Sequence, residues 1–235
     1  MLADPVMYYG RFLNPRTRDY ALYSVSSNVE RAIAYLGVDQ RPMRILDLGS
    51  GLGMQALIFA RYGADVVGVD LDPRCATLAE KRRAFFEERW GMPLKARFVA
   101  ADFHDFASHH PSGAFDAVFS MSAFAHIPPL EITVAELARL AAPTARVFLW
   151  DKNPDYLYMN AVAGKHRDLP RPSQIRAALR SHRFRVDTMM GAGAIPSRLW
   201  VPALHGLLAT TNRLLSHGTR LSFNYLIAAS RSAAG

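Results

Sequence analysis

The chain is poor in cysteine: Cys75 is the only one in 235 residues. A lone thiol closes no internal disulfide and has no second thiol with which to hold a metal, so a disulfide scaffold is excluded and a reducing compartment is expected. Cys75 is read as a packing residue. Long apolar runs are also lacking, and none approaches the ~20 residues that a spanning helix needs. The opening MLADPVMYYGRF has neither the basic nor the apolar region of a signal peptide, so a soluble, cytoplasmic protein is expected. No internal repeat is visible. With 50% hydrophobic and 20% charged residues the composition is ordinary globular, which argues against disorder, and the length suits one α/β domain over residues 1–235.

Acid is in short supply, with 20 Asp and Glu against 28 Lys and Arg for a net charge of +8. Such an excess fits nucleic acid, an anionic membrane surface or an anionic small substrate. The distribution weakens the first of these. Lys81, Arg82 and Arg83, and likewise Arg176, Arg180, Arg183 and Arg185, form short groups on expected helix faces, often beside acids such as Glu80 and Glu87. They read as solvated faces.

Ser27, Asn28, Val29 and Glu30, followed by RAIAYLG, read as a capping-box start with Ser27 at the cap and Gly37 as the stop. Ahead of it lies a segment dense in aromatics and arginine, from Tyr8, Tyr9 and Arg11 to Tyr20 and Tyr23, with no clear period. From Arg44 strand and helix alternate: ILDL, then the helix MQALIFARYG, VVGVD, the helix ATLAEKRRAFFEERWG, and ARFVAAD. After a loop through His109, His110 and Pro111 come FDAVFSM, the helix LEITVAELARLA and ARVFLW. SQIRAALRSH, FRVDTMM and LSFNYLIAAS supply one more helix and two strands. This alternation builds a parallel sheet covered on both faces. Between the last two strands, Leu204, Leu207, Leu208, Leu214 and Leu215 recur at helical spacing, which is read as a helix folded onto the core or as an apolar lid or membrane-contacting surface.

Two apolar strands ending in aspartate enclose the glycines Gly49, Gly51 and Gly53. No lysine follows Gly53, which excludes the phosphate loop of nucleoside triphosphate enzymes. The dinucleotide fingerprint wants a third glycine where Met54 stands. The arrangement D-x-G-x-G-x-G from Asp47 resembles the first motif of class I S-adenosylmethionine-dependent methyltransferases, and the likeness runs from about Arg44 to Asp151. It implies a doubly wound, mostly parallel seven-stranded sheet with an N-terminal helical segment (1–40), a cofactor core (44–151) and substrate-side insertions with closing strands (152–235). It also implies S-adenosylmethionine as cofactor and S-adenosylhomocysteine as product. By the same resemblance the glycine loop passes under the methionine end and Asp47 lies near the amino group. Asp70, with Leu71 beside it, meets the ribose hydroxyls, Asp102 and Phe103 hold the adenine, and Ser120 completes the cofactor set.

The fourth strand ends FSMSAFAHIPP, where that family places the acceptor. A hydroxyl acceptor needs a base, and His126 is the candidate, because an unperturbed imidazole titrates at ~6.5. The alternative is that His126 caps a helix or packs beneath the loop. His104, His109 and His110 have no assigned role, and no cluster has metal-ligand spacing. Asn153, Pro154, Asp155 and Tyr156 resemble the Asn-Pro-Pro-Tyr signature of amino-methyltransferases, but imperfectly and after the fifth strand instead of the fourth, so nucleic acid is not the expected partner. Tyr9, Arg11, Tyr20, Phe124, Tyr156 and Trp200 are the candidate contacts for a small apolar or aromatic acceptor, lipid-like and open to peripheral membrane contact. The other readings to weigh are a nucleic-acid or protein methyltransferase and a non-catalytic partner subunit that keeps the fold and the cofactor; oligomeric state is not legible.

Overall fold

ILDL and FDAVFSM are apolar on both faces, as strands covered by helices on two sides must be. In the computed structural model, which describes residues 14–156 and 168–231, they lie at the centre of one sheet. Its strands are β1 (Arg44–Leu48), β2 (Asp65–Asp70), β3 (Ala96–Ala100), β4 (Phe115–Met121), β5 (Ala141–Lys152), β6 (Phe184–Ala192) and β7 (Asn224–Arg231). The order is β3-β2-β1-β4-β5-β7-β6, and β7 alone runs antiparallel to its neighbours. β1 to β5 therefore end at one edge, and the strand order reverses between β1 and β4, where open α/β sheets form their crevice.

The helices are α1 (Pro15–Leu36), α2 (Met54–Arg61), α3 (Pro73–Trp90), α4 (Phe103–Ser108), α5 (Leu130–Leu140), α6 (Pro172–Ser181) and α7 (His205–Leu215). Phe103 of α4, Leu137 of α5 and Ile175 of α6 pack against Leu46, Val118 and Leu149 on one face. Val29 of α1 and Leu57 of α2 pack against Ile45, Phe119 and Phe148 on the other, with Phe86 of α3 at the margin. Full burial of a side chain such as Leu137 or Phe119 contributes about 1.5–3 kcal/mol, so the two layers hold the sheet from both sides. The basic group on α3 is a solvated face, for Arg83 bridges Glu80 at 2.8 Å and Glu87 at 3.2 Å.

Three expectations are corrected. Ser27 does not cap a helix. It lies inside α1, and its hydroxyl donates to the Ser24 carbonyl at 3.4 Å. Ala21, Val25, Val29, Ala32 and Leu36 recur at three- and four-residue spacing, so one buried stripe carries the helix through the apparent start. The loop expected after Asp102 contains α4, whose amino end Asp102 caps by accepting from the His104 N–H at 2.8 Å. Of the leucines expected on the core, Leu208 packs inward against Tyr20, Ile195 and Trp200, but Leu207, Leu214 and Leu215 of α7 do not. The helix docks through Asn212, whose Oδ1 accepts from the N–H groups of Ala194 (2.7 Å) and Ile195 (3.1 Å), while Leu207 and Leu214 face outward.

Asn153 is consumed by structure. Its Nδ2 donates to the carbonyls of Thr219 (2.6 Å) and Ser222 (2.8 Å), and its Oδ1 accepts from the Asp155 N–H (3.1 Å), so both donors are used and the buried side chain is turned into the protein. Asn153→Ala strands buried polar groups and is expected to cost about 1–3 kcal/mol, read as a lower urea midpoint at unchanged slope. An unchanged midpoint would mean that the late insertion is held by other contacts.

Candidate active site

β1 runs straight into the glycine loop, which folds back over β2: the N–H groups of Gly49 (2.8 Å) and Ser50 (3.0 Å) both donate to the Val69 carbonyl. Gly49, Gly51 and Gly53 all have left-handed backbones, at φ of 72°, 51° and 73°. Their environments differ. A Cβ on Gly49 would lie 2.0 Å from the Ala123 Cβ, and one on Gly53 would lie 2.6 Å from the Phe98 ring and 2.9 Å from the Ala79 Cβ. A Cβ on Gly51 would meet nothing within 4 Å. At Gly49 and Gly53 the protein's own atoms exclude a side chain, whereas at Gly51 only the left-handed backbone disfavours one and the open space beside it is left for a ligand. Asp70, at the end of β2, holds the loop with Oδ2 accepting from the Gly51 N–H at 2.8 Å and Oδ1 accepting from the Asp72 N–H at 3.0 Å.

An apolar cleft of about 380 Å³ opens at this edge. Of the residues expected from the sequence, Gly49, Asp70, Leu71, Asp102, Phe103 and His126 line it. Val69 and Ala101 also line it, as do Ser122, Ala123, Ile127 and Pro128 of the FSMSAFAHIPP stretch expected at the acceptor, although none of these was singled out as a contact. Ser122 is a non-glycine residue at φ 59°, a costly conformation that turns the chain out of β4 and lays Ala123 against Gly49. No residue-type pattern announces that turn, although the small residues of SMSA are compatible with it.

Asp47 lies behind the cleft wall, buried, with its Oδ2 lacking a hydrogen-bond partner. Burial first, and the Asp70 charge second, push its pKa up to about 7 against the opposing Ala56 N–H. An orphaned carboxylate beneath the loop and clear space at Gly51 fit a ligand that brings a cationic group and close backbone approach. Ser120 sits apart from the cleft: its buried hydroxyl donates to the Leu48 carbonyl (2.8 Å) and accepts from the Phe124 N–H (3.1 Å). Phe124 is likewise in the core. Tyr20 and Trp200 pack edge to face at 5.2 Å in a buried aromatic cluster, Tyr23 stacks on Trp200 at 4.7 Å, and Tyr156 reaches the same cluster through Phe223. These aromatics join α1 to the late insertion, beside the cleft and not within it. Tyr9 and Arg11 lie outside the described residues, among which no cluster of metal-ligating side chains occurs.

His104, to which no role is assigned from the sequence, clamps the site. Its Nδ1 meets Glu136 Oε2 of α5 at 2.5 Å, and its Nε2 meets the Pro128 carbonyl at 3.0 Å, on the segment that carries His126. Both partners are acceptors, so the arrangement suits the imidazolium. Burial lowers its proton affinity, but the hydrogen bonds to Glu136 and Pro128 and the charges of Glu136 and Asp102 outweigh burial and raise the pKa. A raised folded value means stabilisation that is complete below the ordinary histidine pKa of ~6.5 and lost as pH climbs through the higher folded value. The Tm advantage of the native protein over His104→Ala is therefore expected to be largest in mild acid and to shrink on alkalinisation. A pH-independent difference would show that the clamp does not need the charge.

The chain is similar to known proteins in sequence and in fold. Residues 46–149 match the family described as "Methyltransferase domain". A ubiquinone biosynthesis O-methyltransferase of Chromobacterium violaceum is 31% identical over 80% of this chain and 78% of its own length. A demethylmenaquinone methyltransferase of Thermus thermophilus is 36% identical over 51% of each chain, and this chain spans about half the length of several other curated relatives as well. Among solved structures, magnesium protoporphyrin IX methyltransferase from Synechocystis PCC 6803 with bound SAM shares the fold at a TM-score of 0.60, with 18% identity over 96% of this chain and 89% of its own. With the sheet order, the glycine loop and a relative aligned along most of both chains, this protein belongs to the class I S-adenosylmethionine-dependent methyltransferases.

Proposed function

We propose that the protein transfers a methyl group to an oxygen or nitrogen of a small, apolar or aromatic, lipid-like acceptor, in the cytoplasm, as a single domain whose residues 152–235 form the acceptor side. The observation that carries this reading is the convergence of Asp70, Asp102, Phe103 and His126 on one apolar cleft at the ends of successive parallel strands. Ubiquinone and demethylmenaquinone in the names of two relatives support an apolar, ring-bearing acceptor. Nucleic acid is not the partner in this reading, since Asn153 is spent on the backbone.

S-adenosylmethionine, when bound, supplies a methyl group already activated on a sulfonium, so catalysis by the protein is chiefly alignment. Asp70, an acceptor-only group, would hold the ribose hydroxyls, and Asp102 and Phe103 would hold the adenine by an accepted hydrogen bond and an apolar face. Gly51 would leave the cofactor room, and Asp47 would supply a carboxylate toward its amino group, whose positive charge would favour the ionised form. Ile127, Pro128 and Phe103 keep water from the cleft with apolar surface. His126, exposed on the cleft wall, would take the proton from an acceptor hydroxyl at a ring nitrogen.

Calorimetry with S-adenosylhomocysteine is expected to show micromolar binding that Asp70→Ala abolishes and NAD does not reproduce. Gly51→Ala is expected to stay folded and lose affinity, whereas Gly49→Ala and Gly53→Ala lose the fold itself. Absence of binding to folded native protein would sink the reading. His126→Ala is expected to lower kcat by about 100-fold or more near neutrality, with recovery toward alkaline pH as the acceptor ionises unaided. An unchanged kcat would instead assign transfer to a nitrogen by alignment alone.

A further inference from the structure

The outward leucines of α7 remain to be explained. Leu207 and Leu214, two turns apart, lie on the side of α7 turned away from Asn212, and Leu215 and Leu204, the latter just ahead of the helix, are exposed as well. Leu207 and Leu214 are 64% and 65% exposed, and Leu199 (58%), Val201 (46%) and Leu221 (49%) extend the apolar surface at either end of the insertion. Leu208 and Ala209 pack inward beside Asn212, but the outer side of α7, where a surface helix ordinarily carries polar residues, carries Leu207 and Leu214.

Charge identifies the occupant. From Thr188 to Gly235 the sequence contains no Asp or Glu, while Arg198, Arg213 and Arg220 fall within the insertion itself. Arg213 and Arg220 are exposed, flanking the leucines. A second copy of this chain seated on the same face would bring like-charged arginines together, because a two-fold contact opposes a patch to itself. An anionic bilayer meets both demands: the acyl boundary takes the leucines and the headgroups take the guanidinium groups. The location is also apt. β6 runs parallel to β5, since both are antiparallel to β7, so the insertion leaves the sheet at the edge that carries the cleft.

We propose that the 199–221 surface is a peripheral docking face for anionic lipid bilayers, seating the cleft edge of the sheet toward the membrane. No helix among the described residues is long and apolar enough to cross a bilayer, so the contact is one of lying on the surface. It goes beyond the proposed methyl transfer and stands without it.

The test is co-sedimentation of the full chain with phosphatidylcholine vesicles made with and without phosphatidylglycerol. Retention on the anionic vesicles is expected to exceed that on neutral ones by roughly ten- to thirty-fold and to weaken with salt. Leu207→Asp with Leu214→Asp should abolish it, and Arg213→Glu with Arg220→Glu should remove the preference for anionic lipid. Circular dichroism and S-adenosylhomocysteine binding, each compared with the native protein, report whether the variants fold. Should the leucine pair not fold, the lipid and salt dependence of the native protein decides alone. Folded native protein that ignores anionic vesicles would overturn the proposal, as would a solution dimer broken by the leucine changes. Loss of cofactor binding with vesicle binding intact would instead count against methyl transfer and leave the docking face standing.

Discussion

The approach of Ala123 to Gly49 is the constraint on which the catalytic edge depends. Ser122 leaves β4 in a left-handed turn, with its N–H donating to the Trp150 carbonyl at 2.7 Å, and this lays Ala123 where any side chain on Gly49 would stand. The contact closes the loop after β4 onto the loop after β1 and so creates a cleft between two walls. Ser120 braces the same junction from below by bridging Leu48 and Phe124. His126 faces the cleft because these small residues bring the chain back across the crevice; no capping role of its own places it there.

The electrostatics of the cleft run against those of the chain. A protein of net charge +8 sets Asp47, Asp70 and Asp102 around or beneath one small apolar space. Asp151 adds a fourth carboxylate, fully buried, with Oδ2 accepting from the Ala125 N–H at 2.9 Å on the turn that leads to His126. Burial raises its pKa, while the N–H groups of Ala125 and Lys152 and the neighbouring His126 pull the other way. The basic excess lies elsewhere, on exposed helix faces and on the late insertion. One chain thereby offers a negative site suited to a cationic cofactor and a positive outer face suited to an anionic surface.

The two walls are held by different means. Backbone donors fix the glycine loop to β2 through Val69 and Asp70. On the far side, His104 ties Pro128 to Glu136, an arrangement of two acceptors that suits the protonated ring. Packing of α4 and α5 sets how closely those groups meet, so the site's outer wall shares its stability with the helices beneath it.

The sheet, its alternating helices and the glycine loop were legible in the chain because they rest on local patterns. Apolar runs mark the strands, glycines mark the left-handed turns, and aspartate ends the strands that face the crevice. The start of α1 was misread, since a capping box at Ser27 is outweighed by a buried stripe that only contact with the sheet reveals. Likewise Tyr20, Phe124 and Trp200 looked like acceptor contacts by residue type, but burial assigns them to packing. The sequence by itself determined that a cofactor loop lies between two parallel strands, because spacing and backbone conformation are properties of neighbours along the chain. Which glycine clears space for a ligand, which histidine clamps the wall and which way the leucines of the last helix face were decided by tertiary structure alone. Those outcomes depend on Phe98, Ala123, Glu136 and Asn212, groups brought into contact from distant segments by the packing of the whole fold.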